Sequence, residues 1–204
     1  MEYIDSLAIL IGVFILSLIS PGPNFIIVTS TSMSVSRVAG LFAGLGLALA
    51  SLTWALLTMA GLGLVIAHFE WLHTVIQVVG ALYLIWLGVK MILGAGASIK
   101  VGAATAVRRR DAMRRAFIVS FTNPKSFAFY GSIFALVIPT RAPFWFYAVI
   151  AAVCFSLSMI WYCGLGLFFS NPLVARQFMK VKPALERVMG AALTLLGARL
   201  LWSR

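Results

Sequence analysis

Long apolar runs separated by short polar connections organise the chain. Six runs can be recognised, at residues 7–30, 41–67, 72–93, 113–138, 144–169 and 188–202. A transmembrane α-helix needs about 20 apolar residues, and the first five runs reach that length. The sixth reaches it only if its helix begins near Pro183. The pattern predicts an all-α integral membrane protein with six transmembrane helices.

Two of these runs are interrupted by proline motifs. The motifs are Ser20-Pro21-Gly22-Pro23-Asn24 in the first run and Thr122-Asn123-Pro124-Lys125 in the fourth. A proline inside a helix removes a backbone donor, so we expect both helices to be broken there. In lipid, freed backbone groups are tolerated only where they face protein or a water-filled cavity. Paired breaks in the two halves of a membrane protein therefore indicate the binding site of a transporter.

The two halves of the sequence also resemble each other. The matched segments are Pro23-Asn24 with Asn123-Pro124, Gly61-Leu62-Gly63-Leu64 with Gly164-Leu165-Gly166-Leu167, and Leu87-Gly88-Val89-Lys90 with Leu196-Gly197-Ala198-Arg199. A repeat with three crossings is inverted in its second copy, because three is an odd number. This predicts one transmembrane domain over 1–204, with repeats at about 1–95 and 113–204 joined by a cytoplasmic connection at about 96–112. The alternative is that Gly-Leu-Gly simply recurs in closely packed helices.

Composition and charge agree with a membrane protein. Of the 204 residues, 62% are hydrophobic and only 10% are charged. The net charge of +11 is concentrated in the first, third and fifth connections. Because basic residues concentrate on the cytoplasmic side, both termini are predicted to be periplasmic. The largest basic cluster, at 108–115, is interpreted as a topology signal with a secondary attraction to anionic lipids, and nucleic-acid binding is not expected.

The residues at the breaks are candidates for substrate binding. Lys125 lies near the centre of the fourth run, where a cation costs about 2.5–3.5 kcal/mol, so it is expected to face a cavity. The alternative is that Lys125 extends to the cytosolic interface. The prolines free the carbonyl groups of Ser17, Ile19 and Ser120, which suit an ammonium group, and the helix start near Asn24 suits a carboxylate. The alternative is that the prolines only kink the helices.

A zwitterion matches this arrangement of partial charges. The candidate substrate-binding and translocation residues are Ser20, Pro21, Gly22, Pro23, Asn24, Asn123, Pro124, Lys125, Tyr83 and Tyr130.

An intramembrane enzyme is not indicated by the sequence. Such an enzyme needs a nucleophile with a base, or a metal cluster, inside the membrane. Both histidines fall at the second connection or its edge, both cysteines fall in the fifth run as small core residues, and no acidic residue lies deep in a run. We therefore expect no enzymatic activity, no cofactor and no metal. A passive channel for small zwitterions is the alternative to a carrier.

The proline motifs at 20–24 and 123–125, with Gly80-Ala81-Leu82-Tyr83-Leu84, resemble the LysE/RhtB-type amino-acid exporter family. The stretches at 71–74 and 123–134 look most like its threonine and homoserine exporter branch. The resemblance implies alternating-access efflux of a small amino acid across the bacterial inner membrane, driven by the proton gradient. Many members carry Asp where this chain has Asn24. Proton coupling would therefore use Lys125 or the substrate, or would not be obligatory. The implied partners are an amino-acid substrate, protons and lipids, and a homo-oligomer is left open.

Overall fold

The computed structural model describes residues 2–20, 22–68, 70–96, 108–139 and 142–202. Within these ranges all regular secondary structure is helical, which confirms the prediction of an all-α chain. The helices are α1 (Glu2–Ile19), α2 (Pro23–Ser34), α3 (Arg37–His68), α4 (Glu70–Leu93), α5 (Arg109–Phe121), α6 (Pro124–Val137), α7 (Phe144–Phe168) and α8 (Pro172–Trp202).

Both proline motifs coincide with helix ends. The first apolar run is divided into α1 and α2, which are bent by 53° relative to each other. The fourth run is divided into α5 and α6 at Thr122 and Asn123. Pro23 and Pro124 each occupy the first position of the new helix, where the missing N–H would have no helical partner in any case. Pro21 lies outside the described residues.

Among the residues that the structure describes, two helices contain segments that are long and apolar enough to cross a membrane. They are the 25-residue segments Arg37–Gly61 in α3 and Phe144–Phe168 in α7. The bent pair of α1 and α2 adds a third candidate span. The count of six transmembrane helices stays a prediction.

The last helix is longer than the apolar run that predicted it. α8 begins at Pro172 and continues through Pro183, whereas the run covers only 188–202. Lys182 and Glu186 form a buried ion pair in α8 with an N–O distance of 3.2 Å. The helix turns Glu186 toward Gly96, whose backbone N–H donates to the Glu186 carboxylate at 3.2 Å.

The carboxyl-terminal part of the predicted basic connection is helical. α5 begins at Arg109, so the arginines at 109, 110, 114 and 115 belong to a helix, while 97–107 lie outside the described residues. Asp111 lies in the first turn of α5, where an acidic side chain interacts favourably with the helix dipole. This explains why the helix begins before the apolar run that starts at residue 113.

Two pairs of described helices make the most extensive contacts with each other. α3 packs along α7, where the Ser158 hydroxyl group donates to the Ser51 hydroxyl group at 2.8 Å. α4 packs along α8 through glycines, because a Cβ atom on Gly197 would lie only 2.7 Å from the carbonyl oxygen of Ala81. Small residues allow such close backbone contact where lipid provides no hydrophobic drive between helices. These pairs hold the two broken helices against each other.

Candidate functional site

A small polar cavity lies where the two helix breaks meet. Its volume is about 30 Å³, which leaves room for about two water molecules. Side chains and backbone from α1, α2, α3, α6 and α7 surround it. The lining residues are Phe14, Ser17, Leu18, Ser20, Gly22, Pro23, Asn24, Ser51, Asn123, Lys125, Ser126, Phe129, Tyr130 and Tyr162.

Asn24 connects the first break to three other segments. Its Nδ2 atom donates to the Ser120 hydroxyl group at 3.0 Å and to the Tyr162 hydroxyl group at 3.3 Å. Its Oδ1 atom accepts from Nδ2 of Asn123 at 3.4 Å. The amide therefore uses both its donor and its acceptor, which a carboxylate of the same shape cannot do.

Lys125 extends its ammonium group from the second break to the first. Its Nζ atom donates to the carbonyl oxygen of Ser17 at 3.3 Å. This is one of the carbonyl groups that the proline motif was predicted to free, and it lies in the last turn of α1. The Lys125 side chain is partly buried and lines the cavity.

The backbone around Lys125 is fixed by two further hydrogen bonds. The Asn123 side chain caps α6 by accepting from the backbone N–H of Lys125 at 3.0 Å. The Tyr83 hydroxyl group, from α4, donates to the carbonyl oxygen of Lys125 at 3.3 Å. The prediction that the Ser120 carbonyl group is free is wrong, because it accepts from the backbone N–H of Asn123 at 3.3 Å.

The electrostatic character of the cavity is positive. Among the described residues that line it, Lys125 is the one cation and there is no carboxylate. The amino-terminal ends of α2 and α6 both meet the cavity at Pro23 and Asn123, and the α2 end has no side-chain cap. Helix amino termini carry a partial positive charge and unsatisfied N–H groups. The arrangement is suited to an anionic group such as a carboxylate.

The structure brings most of the predicted residues together. The candidates that line the cavity are Ser20, Gly22, Pro23, Asn24, Asn123, Lys125 and Tyr130. Tyr83 does not line it but contacts Lys125 from behind. Pro124 begins α6, and Pro21 lies outside the described residues. The Tyr130 hydroxyl group is buried close to the Ser51 hydroxyl group, and both residues line the cavity.

Several lining residues were not among the predicted ones. Ser51 comes from α3 and Tyr162 from α7, and neither helix is interrupted by a break. Ser126 and Phe129 come from the first turns of α6, next to Lys125. Ser17 contributes its backbone carbonyl group, which the proline spacing did predict. Ser51 and Tyr162 are polar residues inside uninterrupted apolar helices, and this was the signal that could have indicated them as lining residues.

Comparisons with known proteins identify a family for the chain. Residues 15–204 match the family model described as LysE type translocator. The threonine efflux protein of Escherichia coli K12 is 30% identical over 200 residues, covering 94% of this chain and 95% of the relative. The threonine efflux protein of Salmonella typhi is 30% identical over 199 residues, covering 94% and 95%. The uncharacterized membrane protein YahN of Escherichia coli K12 is 27% identical over 211 residues, covering 99% and 92%.

No solved structure matches the chain. The family match covers nearly the whole sequence, including both helix breaks and every described residue of the cavity from Ser17 to Tyr162. The chain therefore belongs to the LysE type translocator family, a family of membrane transporters.

Proposed function

We propose that this protein is a secondary transporter that exports a small amino acid or derivative, similar to threonine or homoserine, across the bacterial inner membrane. The observation that carries the proposal is the convergence of Lys125 and two helix amino termini on one polar cavity between the breaks. The relatives named as threonine efflux proteins support an amino acid as the cargo.

The substrate carboxylate binds between the Lys125 ammonium group and the start of α2. To do so it replaces the carbonyl oxygen of Ser17 as the acceptor for Nζ, which lies 3.3 Å away. A charge-assisted hydrogen bond to a carboxylate is stronger than one to a neutral carbonyl group, so the exchange is favourable. The Ser17 carbonyl group then becomes free to accept from the substrate ammonium group. Both ends of a zwitterion are thereby satisfied by groups that are already adjacent.

The charge of the cavity favours substrates with an uncharged side chain. With Lys125 as the cation and no carboxylate among the described lining residues, a second positive charge on the substrate would be repelled at close range. The hydroxyl groups of Ser51 and Tyr130 offer partners for a small polar side chain. A threonine-like side chain fits these partners better than a long cationic one.

Transport by alternating access rests on the two halves acting as inverted repeats. Each half contains a broken helix followed by two long helices, and each second half-helix begins with proline. The glycine contacts are reciprocal as well: Gly88 approaches Gly190, and their counterparts at an offset of 109 residues, Gly197 and Ala81, approach each other. Because the cavity holds only about 30 Å³, it must widen to admit an amino acid. Rocking of one repeat against the other would provide that widening.

Proton coupling is assigned to Lys125 or to the substrate. Asn24 cannot titrate, and it is fixed as a donor to Ser120 and Tyr162. A proton gained or lost by Lys125 would change its hold on the substrate carboxylate, which links the proton gradient to release. The proton gradient remains the proposed driving force.

Uptake of labelled amino acids into everted membrane vesicles tests this function. With an imposed pH gradient, vesicles containing the protein are expected to accumulate labelled threonine or homoserine, and vesicles from the same host without the protein are not. Collapse of the gradient with a protonophore should abolish the accumulation. Failure to accumulate any of threonine, homoserine, leucine, lysine or arginine would contradict the proposal.

A further inference from the structure

A second cavity lies on the surface between α3 and the first half of α5. Its volume is about 630 Å³, much larger than the cavity at the helix breaks. The residues that line this groove are Leu49, Arg108, Arg110, Asp111, Met113, Arg114 and Phe117. The proposed transport function uses none of them.

The groove combines a basic rim with an apolar floor. Three arginines and one aspartate give the rim a net charge of +2, since three positive charges and one negative charge are present. All four of these side chains are exposed. The floor consists of Leu49, Met113 and Phe117, which are only partly buried although they are apolar. A ligand that fits must carry both an anionic group and a hydrocarbon part.

The depth of the groove restricts the ligand further. The backbone carbonyl of Met113 touches α3 at Gly46, where a Cβ atom would collide with it. Gly46 is nine residues beyond the start of α3 at Arg37, or about 14 Å along the helix axis. The arginines therefore lie alongside the candidate membrane span Arg37–Gly61, not beyond its end. A ligand that reaches the floor approaches from the side of a membrane-spanning helix.

We propose that this groove binds an anionic phospholipid. The phosphate group is held by Arg110 and Arg114, which follow each other by one helical turn on α5, and one acyl chain lies over Leu49 and Phe117. Guanidinium groups suit this role because they bind phosphate oxygens in a bidentate manner. Basic pockets between transmembrane helices are known to hold anionic lipid headgroups. The bound lipid fixes α5, whose last turn carries Ser120, the acceptor for Asn24.

Two arginines on the same helix provide a matched control. Arg109 and Arg115 are exposed on α5 but do not line the groove. The full chain, purified in a non-ionic detergent, is titrated with phosphatidylglycerol or with phosphatidylcholine of the same acyl chains, and bound lipid is counted by native mass spectrometry. Replacing Arg110→Gln together with Arg114→Gln removes two charges from the groove. Replacing Arg109→Gln together with Arg115→Gln removes the same charge from the same helix outside it.

The expected result is at least tenfold tighter binding of phosphatidylglycerol than of phosphatidylcholine. The apparent affinity for phosphatidylglycerol should fall about tenfold in the groove variant and less than threefold in the control variant. Equal losses in both variants, or equal binding of both lipids, would overturn the proposal, since the attraction would then be diffuse. If the glutamine variant is not folded and monodisperse, a second variant with Arg110→Lys and Arg114→Lys takes its place. It keeps the charge but loses the bidentate contact with phosphate, so binding should still weaken severalfold.

A competition experiment identifies the source of the phosphate. Glycerol phosphate carries the anionic group without acyl chains, and it should not displace phosphatidylglycerol at concentrations where a short-chain phosphatidylglycerol does. If glycerol phosphate displaces phosphatidylglycerol as effectively as the short-chain lipid does, the ligand is a soluble phosphate ester. That result would contradict a lipid site.

Discussion

At the scale of single residues, Asn24 and Lys125 have corresponding places in the two half-helices. Each is the second residue of its helix, immediately after the proline that begins it. One offers an amide and the other an ammonium group, and both line the same cavity. Because of this difference, Lys125 is the one cation among the described residues that line the cavity. Substitutions at these two positions therefore change the charge that a bound substrate meets.

Replacing Asn24→Asp should change which amino acids are carried. The substitution keeps the shape but adds a negative charge beside Lys125 and removes the donor to Ser120 and Tyr162. Because the repulsion of a second cation is thereby weakened, the ratio of threonine to lysine transport should fall about tenfold, which corresponds to about 1.4 kcal/mol. Competitive uptake into everted vesicles measures the ratio.

Asn171→Asp is the control for that substitution. Asn171 is exposed in the turn between α7 and α8, where its Oδ1 atom accepts from the backbone N–H of Leu173 at 2.9 Å. An aspartate can accept the same hydrogen bond, so both transport and selectivity should be unchanged. A threonine to lysine ratio in Asn24→Asp equal to that of the control would contradict the charge argument.

The sequence identified the break residues because prolines within apolar runs have local consequences. It did not single out Ser51 or Tyr162 as lining residues. Each lies in a helix that is apolar on nearly all sides, so no periodicity indicates which side faces the cavity. Their position depends on how α3 and α7 cross, which is decided by packing between distant segments.

At the scale of helices, the close contact between α4 and α8 depends on the absence of side chains. A Cβ atom on Gly190 would lie 2.5 Å from the carbonyl oxygen of Gly88, and one on Gly88 would collide with Thr194. Backbone atoms cannot rotate away as side chains can. The two helices would have to separate to make room.

Gly88→Ala should therefore destabilise the protein. Overpacking costs about 1–3 kcal/mol, which for a chain of this length lowers the melting temperature by roughly 2–12 °C. Thermal unfolding of the purified protein in detergent, followed by tryptophan fluorescence, measures the change.

Gly164→Ala serves as the comparison, because Gly164 lies in α7 with no atom within 4 Å of an added Cβ. Alanine favours helix over glycine, so this variant should melt at the same temperature or slightly higher. Similar losses in the two variants would show that the contact between α4 and α8 is not the cause.

The boundaries of helices were only partly predictable. The breaks before Pro23 and Pro124 were expected, because proline is favoured at the first position of a helix. The early start of α8 was not expected, because residues 172–187 are too polar to count as an apolar run. Their helix is stabilised by the local Lys182–Glu186 pair, one helical turn apart, and by the hydrogen bond from Gly96 to Glu186. The contact with Gly96 joins distant segments and leaves no local signal.

At the scale of the whole molecule, the distribution of positive charge predicts the orientation in the membrane. The basic residues are concentrated in alternate connections, and the largest group begins α5 at Arg108 to Arg110. Positive residues are retained on the cytoplasmic side. The side at which the lipid groove opens is therefore predicted to be cytoplasmic.

Reporter fusions should place the carboxyl terminus in the periplasm. Alkaline phosphatase attached after Arg204 should be active, because it folds only outside the cytoplasm, and green fluorescent protein at the same place should not fluoresce. Fusions after Gly96, in the basic connection, should give the opposite result. A fluorescent carboxyl-terminal fusion would contradict the orientation.

The central claim is that the cavity between the two helix breaks binds the transported zwitterion through Lys125. Counterflow of labelled threonine in proteoliposomes tests it most directly, because counterflow requires a saturable carrier and no driving force. Lys90→Met is the control, since Lys90 is exposed and lies 4.6 Å from the Trp86 ring, away from the cavity. Wild type and Lys90→Met should both show saturable counterflow, and correctly inserted Lys125→Met should show none. Wild-type counterflow in Lys125→Met would contradict the claim.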